Sequence, residues 1–339
     1  MVRRFNLADV LLVKRLQGQG VYLDLETALL WPPAPLWVAL TDYLPLNEAR
    51  SSTFVEHDSS TDRPVQGFVQ AWDRADRLAC DVTCIAPAPT GSSVVFQVWY
   101  DLLEHLCCDK GEQGMRRIFA RLPEDETGID VFRQVGFGSY ARRHIFRLNQ
   151  LPPDLPSPNT MLLRPLQKGD AWGLQQLRDS LTPRLVQQAE GGIKGERDLG
   201  GLVPWWKSRQ TKEYVSEEKG EIQAYLRIVA GEEGHWLRIM LRPEALQQAD
   251  RILSEGLLTL SACPPCPIYC SVREHEGGLQ GALGELDFEP FASELLMVKQ
   301  TTVRAGVPVS KLSPALEKQV ETAAPISRSN SCREALYDS

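Results

Sequence analysis

Apolar residues along this chain follow two alternating periods. Val94, Val95, Val98, Trp99, Leu102, Leu103, Leu106 and Cys107 recur at the 3.6-residue spacing of a helix that lays one stripe on a sheet. Positions 117–122 and 141–148 are instead rich in β-branched and aromatic residues and read as strands. Between them the pattern predicts a short helix near 127–134 and a tight turn at Gly136-Phe137-Gly138. Ahead of the long helix it predicts a helix at 8–17, an irregular Pro-rich connection after Trp31, and strands at 52–57, 64–72 and 77–86.

The same order returns downstream. Helices are predicted at 171–181 and 185–189, and strands at 212–217, 221–229 and 236–241. A second long helix follows, with the stripe Ala245, Ala249, Ile252, Leu253, Gly256, Leu257 and Leu260. Residues 267–299 repeat strand, helix, turn and strand, with Phe288 in the place of Phe137 and Asp287 in that of Gly136. Even the beginnings agree: Arg3 and Asp9 are six apart, as are Arg164 and Asp170, each pair spanning a strand and a helix start. One unit is written twice. The domains predicted are 1–150 and 161–302, joined by a linker at 151–160 with four prolines among residues 151–158, and followed by a polar tail, 303–339, expected to be disordered.

Composition narrows the partners. With 339 residues and 43% hydrophobic content the chain can build two cores. A net charge of −7 gives no broad footprint for nucleic acid, although Arg116-Arg117 and Arg142-Arg143 are local basic spots. The absence of a membrane-length apolar run and of a secretory leader predicts a cytoplasmic protein without membrane contact. Its eight cysteines then read as reduced thiols, with Cys80, Cys84, Cys107 and Cys108 buried in strand or helix.

This order of elements resembles the GCN5-related N-acetyltransferases, the GNAT family. The likeness is carried chiefly by Asp125, Gly128, Val131, Phe132, Gly136 and Phe137, which stand where the family has Asn-x-x-Ala-x-x-Leu-Tyr-x-x-x-Gly-Phe. Glu276, Leu279, Ala282, Leu283, Asp287 and Phe288 match in the second copy. Covering roughly 1–148 and 161–300, it resembles the tandem members of the family. The resemblance implies an α/β (α+β) fold of two tandem GNAT-like domains, each a mixed, mainly antiparallel, splayed sheet flanked by helices. It also implies an acetyl-CoA-dependent N-acetyltransferase acting on a small-molecule or peptide amine. The cofactor would lie in the splay of the first copy, its pyrophosphate on amides at the start of the long helix. Thr90, Gly91, Ser92 and Ser93 are the expected contacts there, with Asp125 and Phe132 beside them.

The chemistry departs from the family pattern at several places. The pyrophosphate loop is replaced by a segment from Ala86 to Ser93 that keeps Gly91, while Pro87 and Pro89 remove amide donors. The family's proton-donating Tyr is Phe132 in one copy and Leu283 in the other, which leaves Tyr140 as donor, or as a packing residue. Asp81, inside an apolar strand, is the candidate base because burial raises a carboxyl pKa; the blander reading is an edge residue facing outward. His235 is its counterpart, or a solvated hairpin residue. Cys263-Pro264-Pro265-Cys266 with Cys270 lacks a fourth ligand by spacing, so no metal is expected and the thiols read as structural. His105 and the Trp205-Trp206 pair read as helix face and core rather than as cleft. A non-catalytic binding or scaffold protein that keeps the fold is the alternative. The sequence does not set the oligomeric state.

Overall fold

The computed structural model describes residues 1–31, 34–43, 51–57, 66–76, 78–89, 92–124, 127–152, 155, 161–191 and 211–301. Thr90, Gly91, Asp125, Trp205, Trp206, the tail and most of the Pro-rich linker lie outside them. The first half begins with β1 (Val2–Arg4), α1 (Val10–Leu16), β2 (Val21–Tyr22), α2 (Leu25–Leu30) and α3 (Pro35–Tyr43). It continues through β3 (Ser51–His57), β4 (Gln66–Asp73), β5 (Ala79–Ala86), α4 (Ser93–Glu112), β6 (Arg117–Pro123), α5 (Ile129–Gln134) and β7 (Gly138–Leu148). In the second half β8 (Arg164–Pro165), α6 (Ala171–Leu181) and α7 (Arg184–Glu190) lead to β9 (Thr211–Glu218), β10 (Glu221–Ala230) and β11 (His235–Leu241). Then come α8 (Ala249–Leu258), β12 (Ile268–Arg273), α9 (Leu279–Glu285) and β13 (Glu289–Gln300).

All of these strands share one sheet, ordered β1-β3-β4-β5-β6-β13-β7-β12-β11-β10-β9-β8, with β2 against β5. Apart from β2, the order read from either end is the same, strand for strand, among the described residues. At the centre the halves exchange their last strands. β13 pairs antiparallel with β6 of the first half, and β7 pairs antiparallel with β12 of the second. The two exchanged strands then pair with each other, placing Arg143 opposite Glu294.

Local chemistry explains the repeat. In each beginning an Arg holds an Asp six residues on through two hydrogen bonds, Arg3–Asp9 at 2.7 and 2.7 Å and Arg164–Asp170 at 2.7 and 2.8 Å. Asp9 also accepts from the Asn6 amide and Asp170 from the Gln167 amide, closing the helix start. The turn before each last strand needs a left-handed residue. Gly136 supplies it with φ 98° and Asp287 with φ 61°, a conformation that Asp tolerates better than most side chains. α4 runs through Gly111, and the chain leaves it at Gly114, with φ 85°.

Each half packs its long helix on one face of the sheet. Val95, Val98, Trp99, Leu102, Leu103 and Leu106 of α4 meet Cys80, Val82, Ile118, Ala120 and Leu122. Ile252, Leu253 and Leu257 of α8 meet Leu237, Ile239, Cys270 and Val272. Truncating one of these buried Leu or Ile side chains to Ala removes about 2–5 kcal/mol. On the other face α1 and α3 cover β3 to β5, and α2 packs on β11.

Candidate functional site

β5 and β6 are parallel and stay paired only from Ala79 to Asp81, against Arg117 to Phe119. Beyond that point β5 continues to Ala86 and β6 to Pro123, and the two strands part. The cause lies one strand away. Against β4 the register jumps from Ala71↔Val82 to Gln70↔Cys84, so Thr83 is skipped in the ladder and the bulge turns β5 aside. In the second half β11 and β12 pair from His235 to Arg238 and then part. There Arg238 holds Glu276 through 2.7 and 2.6 Å hydrogen bonds and donates to the Ile239 carbonyl at 2.7 Å.

On the α4 side, Ser92 has extended backbone angles (φ −78°, ψ 126°) at the helix start and makes no side-chain cap. Ser92, Ser93 and Val94 are exposed, so the first amides of a 20-residue helix face outward at its positive end. Further in, the Trp99 indole N–H donates to the Pro87 carbonyl at 2.7 Å, and its ring stands edge-on to Phe132 at 6.1 Å. A Cβ added to Gly128 would lie 2.1 Å from the Trp99 ring, so only glycine admits the indole there. Trp99 thus fills the wedge between α4, the segment after β5, and the start of α5.

On the opposite face the alternation of β6 presents charge. Ile118, Ala120 and Leu122 point to the α4 core, whereas Phe119 and Arg121 face away from it. Asp81 accepts from Arg74 at 2.7 and 2.8 Å and from Arg121 at 3.3 Å, and Arg121 also donates to Asp24 at 2.9 Å. The Arg74 guanidinium lies 3.9 Å over the Phe119 ring. Burial alone raises a carboxyl pKa, but at Asp81 the Arg74 and Arg121 charges outweigh it and hold the group below the usual range. At Asp24 burial prevails over Arg121, and the pKa is raised.

Tyr140 is half-buried and edge-on to Phe119 at 6.2 Å. Burial pushes its hydroxyl up to about 12, with Glu190 adding to the rise and Arg273, Arg74 and Arg121 opposing it. The ring borders a cavity of about 30 Å³ at the middle of the sheet, where Arg121, Arg143, Arg227, Arg238 and Arg273 converge from both halves. A further cavity of about 90 Å³ lies beside the bulge, lined by Asp24, Gln70 and Thr83.

No family model matches the sequence, and no curated protein does. Solved structures do match the fold. A GCN5-related N-acetyltransferase from Sphaerobacter thermophilus superposes with a TM-score of 0.52 at 12% identity, covering 89% of this chain and 95% of that one. A tandem GNAT protein from the clavulanic acid biosynthesis pathway gives 0.50 at 12%, covering 80% and 89%. The chain has the GNAT fold, in tandem.

Within this GNAT frame the sequence-predicted residues divide. Asp81 and Tyr140 both feel the charges of Arg74 and Arg121, and Tyr140, on β7, packs against Phe119 of β6. Asp81 is a central, buried residue rather than an edge one, and the upward pKa shift expected of it is reversed by its two arginines. Ser92 and Ser93 are at the exposed helix start, whereas Thr90, Gly91 and Asp125 lie outside the described residues. Phe132 has no exposed surface, being enclosed by Trp99 and Phe137. His235 is buried, not solvated, with Nε2 3.0 Å from the Pro264 carbonyl. Cys108, expected to be buried, is exposed. The sequence does not mark the convergent arginines as a set. Arg143 stands in a basic pair, and Arg121, Arg227, Arg238 and Arg273 are spread along the sequence. An Arg inside an otherwise apolar strand was the available signal, since such a charge must find a partner.

Proposed function

We propose that the chain is an acyl-CoA-dependent N-acyltransferase whose working site is the first half. The observation that supports this reading is the β5–β6 fork, which opens next to the start of α4, where Ser92 makes no side-chain cap. The amides of Ser92 and Ser93 suit a pyrophosphate, because a helix start offers unsatisfied donors and partial positive charge. Acyl-CoA supplies the activated acyl group when bound. Asp81 is a poor base at its lowered pKa and acts as a positioning residue that fixes Arg74 and Arg121. The acceptor amine therefore loses its proton to water rather than to Asp81. Tyr140, holding its proton well above neutral pH, donates a hydrogen bond to the departing sulfur.

One observation favours a second reading, a binding protein on a GNAT frame. Trp99 fills the wedge of the first fork, and the Arg238–Glu276 pair spans the second. Thermal unfolding with acetyl-CoA against adenosine triphosphate separates the two. A ligand at a hundred times its dissociation constant stabilises by about 2.7 kcal/mol. The transfer reading expects that gain from acetyl-CoA alone and its loss when a Ser93→Pro change removes an amide. No gain at millimolar acetyl-CoA overturns it in favour of the binding reading.

A further inference from the structure

We propose that the central cavity is a carboxylate-binding site, built where the two halves meet. Its wall is lopsided in charge. Among the described residues five arginines line it, against one carboxylate, that of Glu26, and each of the five is ion-paired. The carboxylates that hold the other guanidiniums, among them Asp24, Glu190, Glu276 and Glu294, are not part of that wall. Such an arrangement orients cations toward the cavity and keeps their counter-charges behind them.

One polar group in the wall makes no hydrogen bond among the described residues, and a second is held only by an ion pair. The Ser271 hydroxyl, on a residue 1% exposed, makes no hydrogen bond, although buried hydroxyls nearly always do. Arg143 binds Glu294 through Nε at 2.7 Å, and Nη2 contacts the same carboxylate oxygen without a well-formed hydrogen bond. The planar fork of an arginine matches the two oxygens of a carboxylate, and a serine hydroxyl can donate to either. Size agrees. A water needs roughly 10–15 Å³ of such space, so a cavity of about 30 Å³ holds a carboxylate's two oxygens and little more. The rest of the ligand must leave past Tyr140 and Arg143, which are only half-buried.

The site thus takes the carboxylate end of a small organic acid. That this acid is the acyl acceptor, an amine bearing a carboxylate, rests on the transfer reading; its binding does not.

Calorimetric titration of the full chain with succinate, succinamide and inorganic phosphate, without acyl-CoA, tests it. Succinate is expected to bind, succinamide and phosphate to bind at least tenfold more weakly. Ser271→Ala and Arg143→Lys are each expected to weaken succinate at least tenfold while leaving the circular dichroism spectrum unchanged. Equal binding of succinamide, tighter binding of phosphate, no binding of succinate at 20-fold molar excess over millimolar protein, or full affinity in Ser271→Ala would each overturn the site. Succinate binding without any response to acetyl-CoA keeps the site and removes the transfer reading, whereas the reverse pattern removes the site alone.

Discussion

Arg143 and Glu294 face each other across the β7–β13 ladder, 151 residues apart, and each occupies the position in its half that the other occupies in its own. The pseudo-twofold axis passes between them. Equivalent positions of the two halves thus carry opposite charges, and the charges meet where the symmetry brings the two together. Glu294 has no exposed side-chain surface, so the pair is desolvated and each partner depends on the other.

Removing one partner of this pair should be costly. Glu294→Ala leaves a buried guanidinium without its counter-charge, and a loss of about 3–5 kcal/mol is expected from urea unfolding. Replacing both together, as in Arg143→Met with Glu294→Leu, should recover most of it, and a double-mutant cycle measures the difference.

The exchange of last strands predicts how the chain divides. Fragments 1–150 and 161–302, made separately, each lack a central strand that the other supplies, and each is expected to remain unfolded by circular dichroism. Mixed together, they should regain the sheet. The intact chain should melt in one calorimetric transition.

Acid stability should carry the sign of Asp81. Its folded pKa is lowered below its unfolded value, so its stabilisation is fully present above about pH 4 and fades as pH falls through the lowered value. Asp24 acts oppositely. Its raised folded pKa is a cost at neutral pH that disappears as pH falls below that value. Urea midpoints between pH 2 and 6 should fall less steeply for Asp81→Asn than for the wild type, and more steeply for Asp24→Asn.

The fit of Trp99 against Gly128 predicts a non-additive pair. Gly128→Ala forces a Cβ into the indole and should cost about 1–3 kcal/mol, since overpacking displaces neighbours. In a Trp99→Leu background the same change should cost much less, which a thermal-melt cycle reads directly.

Thiol labelling tests the burial map. Burial raises Cys84 and Cys270 to about 12 and Cys107 to about 11, and raises Cys80 as well, which leaves little thiolate at neutral pH. Among the described cysteines, Ellman's reagent in the native state should therefore find Cys108, Cys263 and Cys266 first.

The repeat and its elements were legible because they are local. The stripe of α4, the Arg–Asp spacing of six and the Gly136/Asp287 turn each follow from residues within a few turns of one another. The strand exchange was not, because β7 and β13 read as half-buried strands whichever neighbour they choose, and pairing is settled by the whole sheet. Asp81 shows the same limit at the site. Its apolar strand announced burial, but the sign of its shift is set by Arg74, across the β4–β5 turn, and by Arg121, which lies 40 residues away. The central cavity was hidden for the same reason, as its arginines come from five different strands of both halves.

The crossing of β7 and β13 bears on ancestry as well as on folding. If the duplicated unit once stood alone, two identical copies would have embraced by trading their final strands, and whatever lay at their junction would have had mirrored halves. Joining them in one polypeptide released each copy from matching its twin, so a pocket on the old axis was free to become one-sided, with Ser271 on one flank and Arg121 on the other.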